Sequence, residues 1–305
     1  MTANPGWTKL GVVLEPDAAI PWMATHTALP TPLVREGRID LYVSGRDARG
    51  YGQTGRCRVD LSSGTPRVTV DSGEPLLPIG PLGAFDDCGA TVSAVVEHGG
   101  RLFLHYTGWT RLQRVPFHLF AGLAISDDGG ASFRRVSAAP LLERSADDPY
   151  MTASGAVLVD GGIWRMWYTS CSEWRVVDGT PRHYYRIKYA ESADGLTWHR
   201  PNIVCIDYAD TEEYAIARPW VVHEGGRYRM WYSCRGGSYR MGYAESSDGL
   251  RWDRLDAQVG IGVSTSGWDA ESVEYPAVIR AAGREWMFYN GNGYGRTGIG
   301  CAVRG

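Results

Sequence analysis

Gly225-Gly226-Arg227-Tyr228-Arg229-Met230-Trp231-Tyr232 is the stretch that decides the fold, because the chain writes it more than once. Gly161-Gly162-Ile163-Trp164-Arg165-Met166-Trp167-Tyr168 is a near copy. Looser copies start at Gly99-Gly100 (Arg101 to Tyr106), Gly37 (Arg38 to Tyr42) and Gly283 (Arg284 to Tyr289). The leading glycines stand 62, 62, 64 and 58 residues apart, which leaves room for five units in 305 residues. Inside each copy polar and large apolar residues alternate, the period of a strand. Repeats of this length, made of short strands, predict a radial array such as a propeller.

The fourth unit shows one blade in full. Ala217 to Val222 is a short apolar run ending at the turn Glu224-Gly225-Gly226, and Arg227 to Ser233 is the alternating strand. The turn Cys234-Arg235-Gly236-Gly237 leads to Tyr239 to Glu245, and the hairpin signal Ser247-Asp248-Gly249 leads to Leu250 to Asp253. That is four antiparallel strands. The third unit repeats the pattern through Asp194-Gly195-Leu196-Thr197-Trp198, and the second puts Phe133 in the Trp position. The fifth unit stops after a third strand at Gly298 to Val303, whereas Trp7-Thr8-Lys9-Leu10 resembles Trp252-Asp253-Arg254-Leu255. The N-terminal strand is therefore expected to complete the last blade and remove the open sheet edges. The expectation is all-β: one five-bladed β-propeller domain over residues 1–305, four antiparallel strands per blade.

Composition narrows the function. With 31 basic and 34 acidic residues the net charge is −3, and there is no basic tract, so nucleic acid is not an expected partner. No apolar run is long enough for a membrane span, and Met1 to Trp7 lacks an export pattern. The six cysteines (57, 88, 171, 205, 234 and 301) are scattered singly, as expected of reduced thiols in a cytoplasmic protein. The seven histidines show no metal-ligand spacing, and there is no P-loop, dinucleotide fingerprint or Gly-x-Ser-x-Gly elbow. No metal and no cofactor are expected. The 12 Trp, 17 Tyr and 6 Phe belong mostly to packed strand faces, with some indoles free to stack on sugars.

Strand direction fixes where a site can be. The Gly-Gly and Asp-Gly turns fall on one face; the second-to-third turns and the segments leading into each first strand fall on the other. Counting back 12 residues from each leading glycine gives Thr25, Asp87, Pro149, Glu213 and Glu271. A slip of one residue brings in Asp148 and, in the first unit, His26. The expected acid/base set on this rim is thus Asp87, Asp148, Glu213 and Glu271. The plainer reading of such acids is turn capping, and one member of each pair Asp86-Asp87, Asp147-Asp148 and Glu212-Glu213 fits it. Cations and flat or polar groups for a polyhydroxy ligand come from His26, Arg46, Trp109, Trp174, Arg218, Arg235, Asn290, Asn292, Tyr294 and Arg296. Asn290-Gly291 reads equally well as a hairpin turn.

Arg-Met-Trp-Tyr second strands, Tyr-Ala-Glu-Ser third strands, Asp-Gly-Leu-x-Trp hairpins and acids before the blades together resemble the five-bladed β-propeller glycosidases. These are the glycoside hydrolase family 43, 32, 62, 68 and 130 relatives, and the resemblance spans essentially the whole chain. Its Phe85-Asp86-Asp87, Asp148-Pro149-Tyr150, Ala215 to Pro219 and Asn290 to Arg296 segments look most like bacterial propellers found beside biosynthetic genes. The resemblance implies an axial pocket for a small-molecule or oligosaccharide substrate, with Asp87 as the tuning acid and Asp148 as the general acid. The first blade departs, because Pro21 to Thr27 holds no carboxylate, and the third carries Asp where the family has Glu. Glu271 or Glu213 would then act as base. Three further readings stay open: a phosphorylase or glycosyl-transferring enzyme with Arg218, Arg296 and His26 on an anion; a non-hydrolytic enzyme of cyclisation or elimination; and a non-catalytic carbohydrate-binding propeller.

Overall fold

The computed structural model describes residues 6–35 and 37–305. The N-terminal strand is β1 (Thr8–Leu14). The first blade is β2 (His26–Arg35), β3 (Arg38–Arg46), β4 (Gly52–Asp60) and β5 (Arg67–Val70). The second is β6 (Gly89–His98), β7 (Arg101–Arg111), β8 (Phe117–Ser126) and β9 (Arg134–Arg135). The third is β10 (Met151–Asp160), β11 (Ile163–Val177), β12 (Thr180–Ser192) and β13 (Val204–Ile206). The fourth is β14 (Ala215–Glu224), β15 (Arg227–Arg235), β16 (Tyr239–Ser246) and β17 (Asp253–Arg254). β18 (Glu274–Ala281), β19 (Arg284–Asn290) and β20 (Ile299–Arg304) form a sheet in the order β1-β20-β19-β18. The N-terminal strand thus supplies the fourth strand of the fifth blade, antiparallel to β20, with Thr8 opposite Val303.

The inner strands β2, β6, β10, β14 and β18 touch in that order, and β18 touches β2 again, which closes the ring. Hydrophobic side chains fill the five seams between blades. Trp164, Met166 and Tyr168 face the second blade, whereas Trp167 on the opposite face of β11 packs with Tyr228, Met230 and Tyr232 of the fourth. Trp231 turns the other way, to Val278 and Met287 of the fifth blade. The alternation in the repeated stretch is therefore a seam code: each large side chain is buried against one neighbour or the other. Each contributes roughly 1.5–3 kcal/mol by leaving water. The last seam, Trp22, Leu41 and Val43 against Trp286, Phe288 and Cys301, joins the ends of the chain.

Every inner strand breaks register at the same level: Ala28/Thr31, Val92/Ala94, Ala153/Ala156, Ala217/Trp220 and Glu274/Ala277. Three residues at these bulges, Leu29, Arg218 and Tyr275, have positive φ of 56°, 53° and 56°. Left-handed backbone at bulky residues is strained and collects where a fold aims side chains at a site. Just outside the bulges, side chains of one blade hold the next. Ser44 accepts from the Val92 N–H, Ser233 from the Tyr275 N–H, and Asn290 Oδ1 from the Leu29 N–H at 3.0, 2.7 and 3.0 Å.

Candidate functional site

The acids at the blade entries, the four expected ones with Asp86 and Asp269 beside them, divide into two kinds. Asp86, Asp148 and Asp269 each meet the hydroxyl of a second-strand tyrosine 20 residues later: Tyr106 at 3.2 Å, Tyr168 at 2.9 Å and Tyr289 at 3.1 Å. Each also meets a cation from the outer edge of its blade, Arg135, Arg200 and Lys9 respectively. They are blade latches. The one-residue slip that aligned Asp148 with Asp87 places it in Asp86's column instead. Asp148 is wholly buried and also accepts from Ser170 at 2.6 Å and Lys188 at 3.1 Å. Burial pulls its pKa upward, but Ser170, Lys188 and Tyr168 outweigh it and hold the carboxyl below the usual range. Glu213 likewise carries Arg254, at 2.7 and 3.1 Å, and the Ala209 N–H. In the fourth blade the tyrosine, Tyr232, turns to Asp256.

Asp87 and Glu271 differ. Glu271 is exposed, and only its backbone is held, by Asn292 and Arg240. Asp87 accepts from the Gly83 N–H at 3.1 Å through Oδ2, while its Oδ1 is buried without a hydrogen-bond partner among the described residues. Burial raises its pKa, but the neighbouring Thr110, Gly83 and Cys88 groups outweigh that and keep it ionised at neutral pH.

The side chain that the count missed is Glu274, three residues beyond Glu271. It starts β18 paired with Asn290; the positions paired the same way in the other blades are Ala28, Thr91, Ala153 and Ala217. One carboxyl thus stands in a ring of small residues. Glu274 is 1% exposed. Its Oε1 accepts from the Ser272 hydroxyl at 3.1 Å and the Tyr294 N–H at 3.2 Å, and its Oε2 has no partner among the described residues. Burial drives its pKa up to about 7 against the pull of Ser272, Tyr294, Arg235 and Arg46. The sequence carried a signal for it: the lone acid in a column otherwise of Ala and Thr.

Around Glu274 the structure gathers many of the expected binding residues. Arg46 and Arg235 end β3 and β15, at matched positions opposite His26 and Ala215. Arg235 donates to the Tyr294 hydroxyl at 2.5 Å and lies over the rings of Tyr239, Tyr214 and Tyr294 at 5.3, 5.6 and 6.0 Å. Arg46 lies 5.9 Å from the Trp109 ring. Trp109 is seated on a glycine pair, Gly52 and Gly89, that bridges two blades; a Cβ on Gly89 would stand 1.6 Å from the indole nitrogen. Tyr294 sits at positive φ (60°) in the Asn-Gly-Asn-Gly-Tyr-Gly turn, which is how its N–H reaches Glu274. His26 donates to or accepts from Thr25, and burial with Arg46 and Arg296 nearby drops its pKa to about 4. The long β11–β12 hairpin brings Trp174 and His183; burial, with Arg235 and Arg182 nearby, drops His183 to about 4 as well. Both rings are neutral at pH 7. The Tyr185 hydroxyl, Trp174 Nε1, His183 Nε2, Arg235 Nε and Asn290 Nδ2 are all buried without partners among the described residues.

Three expected ligand groups have other work. Arg218 reaches across the axis to the carbonyls of Ser93 and Pro30 and to Thr31 Oγ1 at 2.7 Å, tying three blades together. Burial lowers its pKa to about 9, so it keeps its charge at neutral pH. Asn290 pins the fifth blade to the first through Leu29, and Asn292 closes its own loop on Glu271, Ser272 and Gly267. Arg296 is exposed near His26. Among the described residues no group of three or more His, Cys, Asp or Glu is arranged for a metal, no helix is long and apolar enough to cross a membrane, and all six cysteines are unpaired.

Comparison with known proteins agrees with this architecture. No established family profile matches the chain. The uncharacterized protein Rv1502 of Mycobacterium tuberculosis is 41% identical over 298 residues, covering 97% of this chain and 98% of its own. A counterpart from a second strain of that organism, MT1551, matches to the same extent. Among solved structures, a BT0996 RGII complex superposes with a TM-score of 0.69 at 17% identity, over 97% of this chain and 90% of that one. A thermostable family-43 glycoside hydrolase gives 0.65 at 16% identity, over 91% and 88%. The Bombyx mori family-32 β-fructofuranosidase gives 0.65 at 16%, over 93% of this chain and 60% of its own. The chain belongs to the family of the mycobacterial protein, and its fold is that of the glycoside hydrolase propellers.

Proposed function

We propose that this member of the family is a glycosidase-like enzyme acting on a sugar or sugar-like small molecule bound beside Glu274. One observation carries the reading: a fully buried carboxyl with a pKa of about 7 and one oxygen, Oε2, left without a partner among the described residues. Such a group is protonated about half the time at neutral pH and can give its proton to a leaving oxygen. Asp87, held ionised, supplies the complementary carboxylate from another blade. In the proposed hydrolysis a water attacks the anomeric carbon and passes its proton to Asp87. The bond from that carbon to the leaving oxygen breaks, and the leaving oxygen takes the proton of Glu274. Two carboxyls acting as acid and base in one step invert the anomeric centre. The three-acid arrangement of the resembled families is not used, since the first blade offers Thr25 and His26 and the third spends Asp148 on Lys188 and Arg200. The likeness of the fold supports a carbohydrate ligand without naming one.

A panel of aryl glycosides and reducing disaccharides, followed by proton NMR of the first-formed anomer, tests this. Glu274→Gln and Asp87→Asn are each expected to lower kcat by about 10²–10⁴-fold with the fold intact. Unchanged turnover in Glu274→Gln overturns the assignment.

A further inference from the structure

We infer that this site takes a ligand bearing an oxyanion, a carboxylate or a phosphate, gripped by Arg46 and Arg235. This rests on the reading of the surroundings of Glu274 as the ligand site. Most other buried or partly buried arginines are matched to acids, among them Arg135 to Asp86, Arg200 to Asp148, Arg254 to Glu213 and Asp256, and Arg304 to Glu285; of the exceptions, Arg218 is satisfied by Ser93, Pro30 and Thr31, and Arg182 lies over the Tyr214 ring. Arg46 and Arg235 are partly buried too, yet among the described residues neither has a carboxylate within 4.0 Å. The one acid that feels both is Glu274, and burial leaves it only about half ionised at neutral pH.

The surroundings do not neutralise them either. His26 and His183 are neutral, Arg111 adds a further positive charge beside Arg46, and the remaining neighbours are the hydroxyls and ring faces of Tyr214, Tyr239, Tyr275 and Tyr294. An aromatic face steadies a guanidinium without using its N–H groups. Arg235 donates through one Nη1 only, and its Nε is buried and unbonded among the described residues. Two guanidinium forks from non-adjacent blades, placed over aromatic rings and short of acceptors, are built for a planar or tetrahedral oxyanion. A neutral sugar hydroxyl would leave the buried positive charge uncompensated. The arginines occupy matched positions in the first and fourth blades, where the second, third and fifth carry Trp109, Cys171 and Asn292, so the pair does not follow from the repeat.

Isothermal titration with inorganic phosphate, glucuronate, glucose 6-phosphate and glucose tests the inference. Wild type is expected to bind at least one of the three anions about 10-fold or more tighter than glucose, and Arg46→Gln and Arg235→Gln each to lose about 10-fold or more of that affinity. Arg235→Lys keeps the charge but not the fork, and is expected to fall in between. Preference for glucuronate or glucose 6-phosphate places the anion on the sugar; preference for phosphate makes it a separate ligand. Melting curves confirm that each variant is folded. Equal affinity for glucose and the anions, or anion affinity unchanged in both Gln variants, overturns the inference. Anion binding without any glycoside turnover would sink the proposed activity and leave this standing; turnover of neutral glycosides with no anion preference would do the reverse.

Discussion

Replacing Asp148 by alanine removes one carboxylate from four partners at once: Tyr168, Ser170, Lys188 and Arg200. Lys188 is 7% exposed at its side chain, so its ammonium is left buried with only the Asp147 carbonyl, at 2.7 Å. Breaking a buried ion pair from one side costs about 3–5 kcal/mol, most of it the stranded charge. A chain of 305 residues has an unfolding entropy of roughly 0.6 kcal/mol/K, so Tm should fall by about 5–8 °C. Calorimetry at pH 7 reads this directly, with Asp87→Ala as the comparison expected to change Tm by much less. The sign with pH follows from the depressed pKa. The unfolded chain binds the Asp148 proton more readily than the folded one, so the stabilisation is present above the unfolded value of about 3.9 and is lost as pH falls through the folded value. The Tm gap between wild type and variant should therefore narrow in acid. A variant that melts within a degree or so of wild type, but has lost ligand binding or turnover, would refute the latch assignment and return Asp148 to the role of general acid.

Glu274 should behave in the opposite sense: its folded pKa is raised to about 7, so the folded state holds a proton that the unfolded chain has released. Wild-type stability should fall as pH rises from about 4.5 through 7, and Glu274→Gln should be more stable above pH 7 by roughly 3 kcal/mol and nearly equal at pH 4, by denaturant titration. Arg218→Met should lose the contacts to Ser93, Pro30 and Thr31 and lower stability by about 3 kcal/mol, while leaving the pH dependence of Glu274 in place. Deleting residues 1–14 should uncover the β20 edge and remove the Lys9–Asp269 pair, giving a chain that aggregates in light scattering, where the intact chain stays dispersed.

The architecture could be read from the chain because it is written in turns and alternation. Gly161, Gly225 and Gly283 all take positive φ, and Trp164, Trp167 and Trp231 divide between seams as period-2 reading requires. The short fifth unit pointed to β1 as its missing strand. The site was harder to read for a physical reason. The second, third and fifth blades each give a buried tyrosine an aspartate acceptor that also meets the outer cation, so Asp86, Asp148 and Asp269 recur with the repeat and look like a functional ring. A functional residue on a repeating scaffold is the one that breaks the repeat. Glu274 does so in a column of Ala28, Thr91, Ala153 and Ala217, nine residues before the last glycine of each turn, which the count of 12 from the leading glycines passed over. Arg46 and Arg235 were found because second-to-third turns keep their spacing. The crossing of the axis by Arg218 depends on its positive φ, which its sequence, ahead of Pro219, does not announce.

A crystal of the protein soaked with glucuronate or glucose 6-phosphate puts the central claim to its most direct test. The account predicts ligand density in the mouth ringed by the tyrosines, with an oxygen in hydrogen-bond reach of Glu274 Oε2 and the anionic group on Arg46 and Arg235. Density confined to the opposite face, among the Asp-Gly turns, or a ligand bound on the rim with Glu274 out of reach, would contradict it.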